Sequence, residues 1–148
     1  MTIAIEPLSL IELKVFLREQ SIDAFPSLQD ESRLVMLAEK WHAYAEFCTC
    51  RDDDQRLIGM IAFYANQPET RMAYIPHVYV SPNHRREGLF SKMLEFIEES
   101  IRTRGFKEIK LEVDKDNLIA QSVYLKEAFS VDNSPIGKTI FMRKSIKT

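Results

Sequence analysis

The residue types and spacing best suited to chemistry lie in Val78-Tyr79-Val80-Ser81-Pro82-Asn83-His84-Arg85-Arg86-Glu87-Gly88-Leu89-Phe90. The first three residues read as the end of a strand, and a short turn then opens a long helix that has no acidic cap. Backbone N–H groups at a helix start have no partner inside the helix, and together with the helix dipole they form a site for an anion. Arg85 and Arg86 add positive charge, and Gly88 lets a phosphate approach the main chain closely. The same residues also read as a helix start whose arginines are merely solvated, because one glycine is a weak fingerprint.

Two other clusters invite a chemical reading and lose it on spacing. Cys48 and Cys50 stand two apart, so on a strand they share a face with Cα atoms too separated for easy bridging. His42 could join them on a metal, but no second Cys/His pair completes the site, which leaves buried free thiols. Asp52, Asp53 and Asp54 are explained by a hairpin turn. No metal is assigned.

The elements that must position the 78–90 segment follow from periodicity. A short strand over 2–6 precedes a helix at about 10–20, which Ser9 and Glu12 open as a capping box and Leu8 and Leu13 as a hydrophobic staple. Pro26 and Ser27 separate it from a second helix at about 30–42, with Leu34, Leu37, Ala38 and Trp41 on one face. Strands at 44–51, 56–65 and 71–80 form a meander. Pro76 in the third predicts a bulge or an unpaired edge. A helix follows with Leu89, Met93, Phe96, Ile97 and Ile101 as its apolar stripe, and Gly105 ends it. Then come a strand at 107–113 with Ile109, Leu111 and Val113 on one face, a helix at about 118–127 capped by Asn117, and strands at 128–131 and 138–143. The strand–helix–strand run across 71–113 calls for a right-handed crossover between parallel neighbours.

The chain has 148 residues, 45% of them apolar, which suits one domain over 1–148 with one packed core. Twenty basic against twenty-two acidic residues give a net charge of −2, so neither nucleic acid nor anionic lipid is an expected partner. The opening MTIAIEPLSL lacks a secretory pattern, and no apolar run approaches the ~20 residues of a membrane span. With its reduced thiols, the chain is expected to be cytoplasmic. Only four glycines are used, so each should stand where a side chain would not fit. Gly59 marks a bulge or a close backbone approach, and Gly137 loosens the last hairpin.

Val80-x-Pro82-x-x-Arg85-x-x-Gly88 resembles the acetyl-coenzyme A loop of the GNAT acetyltransferases, whose signature is Arg/Gln-x-x-Gly-x-Gly/Ala. Leu111-Glu112-Val113, Asn117, Ala120, Tyr124 and Phe129 resemble the family's downstream strand and helix. The chain departs from the pattern at Phe90, where Gly or Ala is usual, and at Ala128, where glycine usually precedes the phenylalanine. The resemblance implies an α/β fold with a mixed, mostly antiparallel central sheet, helices on both faces, and a splayed parallel pair formed by 71–80 and 107–113.

It also implies acetyl-coenzyme A as cosubstrate and an amine-bearing acceptor, either a small molecule or a peptide. Arg85, Arg86, Glu87, Gly88, Leu89 and Phe90 would hold the pyrophosphate through main-chain N–H groups. Val78, Tyr79 and Val80 would pair with the pantetheine arm, and Asn117 would contact the cosubstrate besides capping its helix. Tyr124 falls at the position of the acid that protonates the leaving thiolate, and a core tyrosine is its plainer reading. Glu112 resembles the glutamate base of the ribosomal-protein N-terminal acetyltransferase branch, with His77 and Tyr79 as rivals. His77 also reads as a structural histidine, and His84 as a loop residue beside the phosphates.

The function expected is N-acetyl transfer to a primary amine by direct transfer in a ternary complex. The alternatives are a non-catalytic acyl-coenzyme A-binding module of the same fold and an unrelated domain using the turn for another phosphate ligand. By family habit the acceptor lies against segments 18–33 and 132–138, and family members often form homodimers. Gly88→Val is expected to abolish coenzyme A binding with the fold intact, and Gly105→Val to cost stability.

Overall fold

The computed structural model describes residues 1–132 and 137–146. Its elements are β1 (Thr2–Ile5), α1 (Leu10–Asp23), α2 (Glu31–Tyr44), β2 (Glu46–Arg51), β3 (Leu57–Tyr64), β4 (Met72–Val80), α3 (Leu89–Arg102), β5 (Glu108–Asp114), α4 (Leu118–Lys126), β6 (Ser130–Val131) and β7 (Thr139–Ser145). Short 3-10 turns lie at Pro26–Gln29, Pro68–Thr70 and Pro82–His84. The architecture is mixed α/β, with seven strands in the order β1-β2-β3-β4-β5-β7-β6 and a mostly antiparallel sheet.

The parallel pair is β4 with β5, in register from Met72↔Glu108 to Ile75↔Leu111. This pairing stops one residue before Pro76, which has no N–H to give to a ladder. β5 itself continues on β7 as far as Asp114↔Thr139. The end of the β4–β5 pairing at Ile75 is in keeping with the unpaired-edge reading of Pro76.

The chain builds two compact units. The first comprises Met1–Phe63 and His77–Ile97. Ser9 Oγ accepts from the Glu12 N–H at 3.1 Å, so the N-cap forms as expected. The reciprocal half of the capping box does not form. The Glu12 carboxylate instead accepts from Arg51 at 2.9 Å, beside Glu6 at 2.7 Å, because a guanidinium is the stronger donor. α1 buries Leu13, Phe16, Leu17 and, in the same stripe, Gln20. α2 is capped by Asp30 and buries Leu34, Ala38 and Trp41.

Cys48 and Cys50 are buried free thiols, and burial pushes the Cys48 thiol up to about 12. Gly59 satisfies both of its readings. The β2–β3 register shifts beside it, and a Cβ there would stand 3.2 Å from Met93 Cε.

The second unit comprises Tyr64–Pro76 and Glu98–Thr148. Ile109, Leu111 and Val113 are buried on β5, while Glu112 and Asp114 face out. Gly105, at φ +89°, ends α3 in a Schellman motif, with Phe106 N–H to Ile101 O at 3.1 Å and Gly105 N–H to Arg102 O at 3.0 Å. Ala128, at φ +69°, closes α4 in the same way. That exit occupies the start of the strand expected at 128–131 and leaves only Ser130–Val131 for β6.

The apolar stripe of α3 consists of Leu89, Met93, Leu94, Ile97 and Ile101. Phe96, expected in it, is 47% exposed, because it falls at the stripe's edge while Leu94 turns inward. Much of the acceptor segment expected at 132–138 lies outside the described residues.

Candidate active site

β4 delivers the 78–90 segment. Ser81 N–H donates to Ile58 O of β3 at 2.8 Å. Backbone groups alternate between the two edges of a strand, so Tyr79 faces β3 with Ser81, and Val78 and Val80 face the opposite edge. After the 3-10 turn at Pro82–His84 the chain runs through Arg85 to Gly88, all exposed, before α3 begins. Arg86 and Gly88 adopt φ +66° and +75°. Such alternation of backbone hand gathers successive N–H groups into an anion-binding concavity.

Among the described residues no backbone carbonyl accepts from the N–H groups of Arg86, Glu87, Gly88 or Leu89. A Cβ on Gly88 would meet nothing within 4 Å, so it would project into open space at the helix start. These features fit a pyrophosphate held by main-chain donors. They also revise the Gly88→Val expectation: at positive φ any side chain strains the backbone, and a β-branched one strains it most, so the fold would not be spared.

The two arginines divide their tasks. Arg85 Nε donates to Val80 O at 2.8 Å, its terminal nitrogen pairs with the Asp23 carboxylate, and its guanidinium lies 5.5 Å from the Tyr79 ring centroid. Its charge is therefore neutralised by Asp23, and Arg86 is the exposed cation of the loop. Tyr79 OH also donates to Asp23, at 3.0 Å, and burial with that carboxylate pushes its phenol up to about 12.

His77 lies against Phe25 and Trp41, with ring centroids at 4.6 and 4.9 Å. Its Nε2 is 2.5 Å from Gln20 Oε1, and burial lowers its pKa to about 4. A neutral imidazole engaged at Nε2 and packed between two rings is a poor proton acceptor. The structural reading of His77 is the one its surroundings favour, and Tyr79 is no better placed to take a proton.

Glu112, Asn117 and Tyr124 lie in the second unit. Glu112 stands on the exposed face of β5 and accepts from Thr139 Oγ1 at 2.5 Å, with Tyr74 OH 3.5 Å away. Tyr74 is held above its ordinary pKa by burial first and by Glu112 next. Tyr124 is half-buried, with its ring 5.8 Å from that of Phe129, and burial raises its phenol. A raised phenol stays protonated at neutral pH, which is the form an acid needs. Asn117 Oδ1 accepts from Ala120 N–H at 3.1 Å, so its capping role is met. Phe90 and Leu89 open α3, half-buried and buried respectively. Val78 through Phe90 form one continuous group, and Glu112, Asn117 and Tyr124 belong to the other unit.

Four polar partners were not singled out from sequence: Gln20, Asp23, Tyr74 and Thr139. Two of them carry a signal in hindsight. Asp23 is an acid at the last residue of a helix, where the dipole disfavours it. Gln20 is a polar residue inside the apolar stripe of α1.

Comparisons with known proteins bear on the family and the fold. The acetyltransferase (GNAT) family profile matches residues 13–129. The chain is 36% identical over 61 residues to GCN5-related N-acetyltransferase 6, chloroplastic, of Arabidopsis thaliana, covering 41% of this chain and 21% of that protein. It is 30% identical over 112 residues to mycothiol acetyltransferase of Clavibacter michiganensis, covering 72% of this chain and 36% of that protein. The chain thus spans well under half the length of these relatives. Its fold matches the PaiA N-acetyltransferase of Thermoplasma acidophilum, solved in complex with coenzyme A, with TM-score 0.76 and 20% identity over 98% of this chain and 99% of that one. A profile that spans both the 78–90 segment and the Glu112–Phe129 block makes this chain a member of the GNAT acetyltransferase family.

Proposed function

We propose that the chain is an N-acetyltransferase that moves an acetyl group from acetyl-coenzyme A to an amine by direct transfer in a ternary complex. The observation that carries this reading is the exposed loop 85–88. Its backbone alternates in hand, and among the described residues no backbone carbonyl accepts from the N–H groups of Arg86 to Gly88.

Acetyl-coenzyme A supplies an electrophilic thioester carbonyl. The N–H groups from Arg85 to Phe90 hold its pyrophosphate, and the edge of β4 at Val78 and Val80 that faces away from β3 aligns the pantetheine amides as a further strand would. A backbone N–H of 78–80 receives the oxyanion as the amine attacks. The amine surrenders its proton to Glu112, directly or through water. Tyr124 gives its proton to the departing thiolate as the C–S bond breaks, so the products are an N-acetyl amide and a free thiol. The choice of Glu112 is supported by the state of its rivals, since His77 is neutral and engaged and Tyr79 donates to Asp23.

The test is thiol release from acetyl-coenzyme A across a panel of primary amines, for the wild type and for Tyr124→Phe. Amine-stimulated release that collapses in Tyr124→Phe is the expected result. Tight coenzyme A binding with no amine-stimulated release would mark a binding module instead. Absence of any coenzyme A binding would overturn the family reading of the loop.

A further inference from the structure

The Asp23 carboxylate receives two donors, Tyr79 OH and the Arg85 guanidinium, from the strand and the loop that lead to the phosphate site. Asp23 ends α1, where the C-terminal carbonyls repel a negative charge. Local preference therefore argues against an acid there, and its partners lie 56 and 62 residues away in sequence. Arg85 ties the arrangement to the main chain, because its Nε also donates to Val80 O. The guanidinium thus links the end of α1, the last residue of β4 and the residue that opens the left-handed Arg86 turn.

We propose that Asp23 is a positioning residue for coenzyme A: by holding Arg85 it fixes residues 85–88 in the conformation that turns their N–H groups outward. This rests on the acetyltransferase reading above and adds to it the device that pre-organises the loop. In this role the side chain of Arg85 serves the loop and not the phosphate. Both partners of the pair are part exposed, with side-chain exposures of 44% and 27%, so the pair adds little to global stability. Its effect is local.

The proposal has a sign that separates it from direct phosphate contact. If Arg85 bound the pyrophosphate itself, removing Asp23 would free the guanidinium and tighten coenzyme A. If Asp23 orders the loop, removing it weakens coenzyme A.

The experiment is calorimetric titration of the wild type, Asp23→Ala, Arg85→Ala and the double variant with coenzyme A and, separately, with pantetheine, which lacks the pyrophosphate. Asp23→Asn serves alongside as the size-preserving variant, and thermal melts check that each protein is folded. The expected result is a loss of about tenfold in coenzyme A affinity for each single variant, the equivalent of re-fixing the backbone of one loop residue on binding. The double variant loses no more than either single one, since the two side chains act as a unit. Pantetheine affinity stays unchanged in Asp23→Ala and Asp23→Asn.

Coenzyme A bound equally or more tightly by Asp23→Ala and Asp23→Asn would overturn the proposal. So would equal losses for coenzyme A and pantetheine, which would signal general damage. A wild type that binds no coenzyme A would refute the functional reading itself, a result distinct from either of these.

Discussion

Replacing Gly88 or Gly105 by alanine gives a matched pair in which strain is common and only one site meets the cosubstrate. The two glycines have φ +75° and +89°, and at neither would a Cβ meet another atom within 4 Å. Alanine in the left-handed region costs ~1–2 kcal/mol. Loss of unfolded-chain freedom offsets ~0.4–1 kcal/mol of that. Each variant should therefore lose about 1 kcal/mol, a fall in Tm of roughly 2–4 °C at this size.

Ligand-induced stabilisation then separates them. Coenzyme A at a hundred times its Kd should stabilise the wild type by about 2.7 kcal/mol, and Gly105→Ala by the same amount. At Gly88 the new methyl occupies the open space before α3 and displaces an anion from at least one main-chain donor. Losing one charge-assisted hydrogen bond costs about 2 kcal/mol, or about thirtyfold in affinity. At the same coenzyme A concentration the stabilisation of Gly88→Ala should shrink to about 0.9 kcal/mol. Thermal melts with and without coenzyme A measure all of these quantities. Equal ligand-induced shifts in the two variants would refute the assignment of the phosphate site to this loop.

Three further outcomes are expected. Tyr124→Phe should lower kcat by about 10²–10⁴-fold while leaving the KM for acetyl-coenzyme A within a few fold. In the wild type, the alkaline limb of the rate profile should lie above the ordinary phenol value of ~10, because burial raises Tyr124. His77 falls from an unfolded value of ~6.5 to about 4 in the fold. The unfolded chain thus binds the extra proton first. His77 costs no stability above about pH 6.5, and stability declines by roughly 3 kcal/mol as pH drops toward 4. Melts of His77→Asn across that window should show a flatter pH dependence than the wild type. Ala128→Gly relieves an alanine at φ +69° in the Schellman turn after α4. It should raise stability by about 1 kcal/mol, seen as a Tm gain of roughly 2–4 °C.

The parts of this protein that obey local rules could be read from the sequence alone. The Asn117 and Ser9 caps and the Gly105 exit each depend on residues within a few positions of one another, and each forms as the spacing predicts; the parallel β4–β5 pair follows from the strand–helix–strand order. Of the readings that shifted, one moved because a distant partner intervened and another within its own helix. Arg51 drew Glu12 away from its capping box, and Phe96 yielded its place in the stripe to Leu94.

The polar network around the loop lay beyond sequence reasoning for the same reason. Gln20 meets His77 across 57 residues and Asp23 meets Arg85 across 62, distances at which no periodicity links them. Yet both α1 residues violate a local rule, one as an amide in an apolar stripe and the other as an acid at the wrong end of a helix. A chain folds readily when local choices agree with the global fold, so positions that disagree must be held by something elsewhere. Here the elsewhere is β4 and the loop it carries, which is where the phosphate chemistry is expected. Residues at odds with their own helix were therefore the best pointer to the site that the motif itself left out.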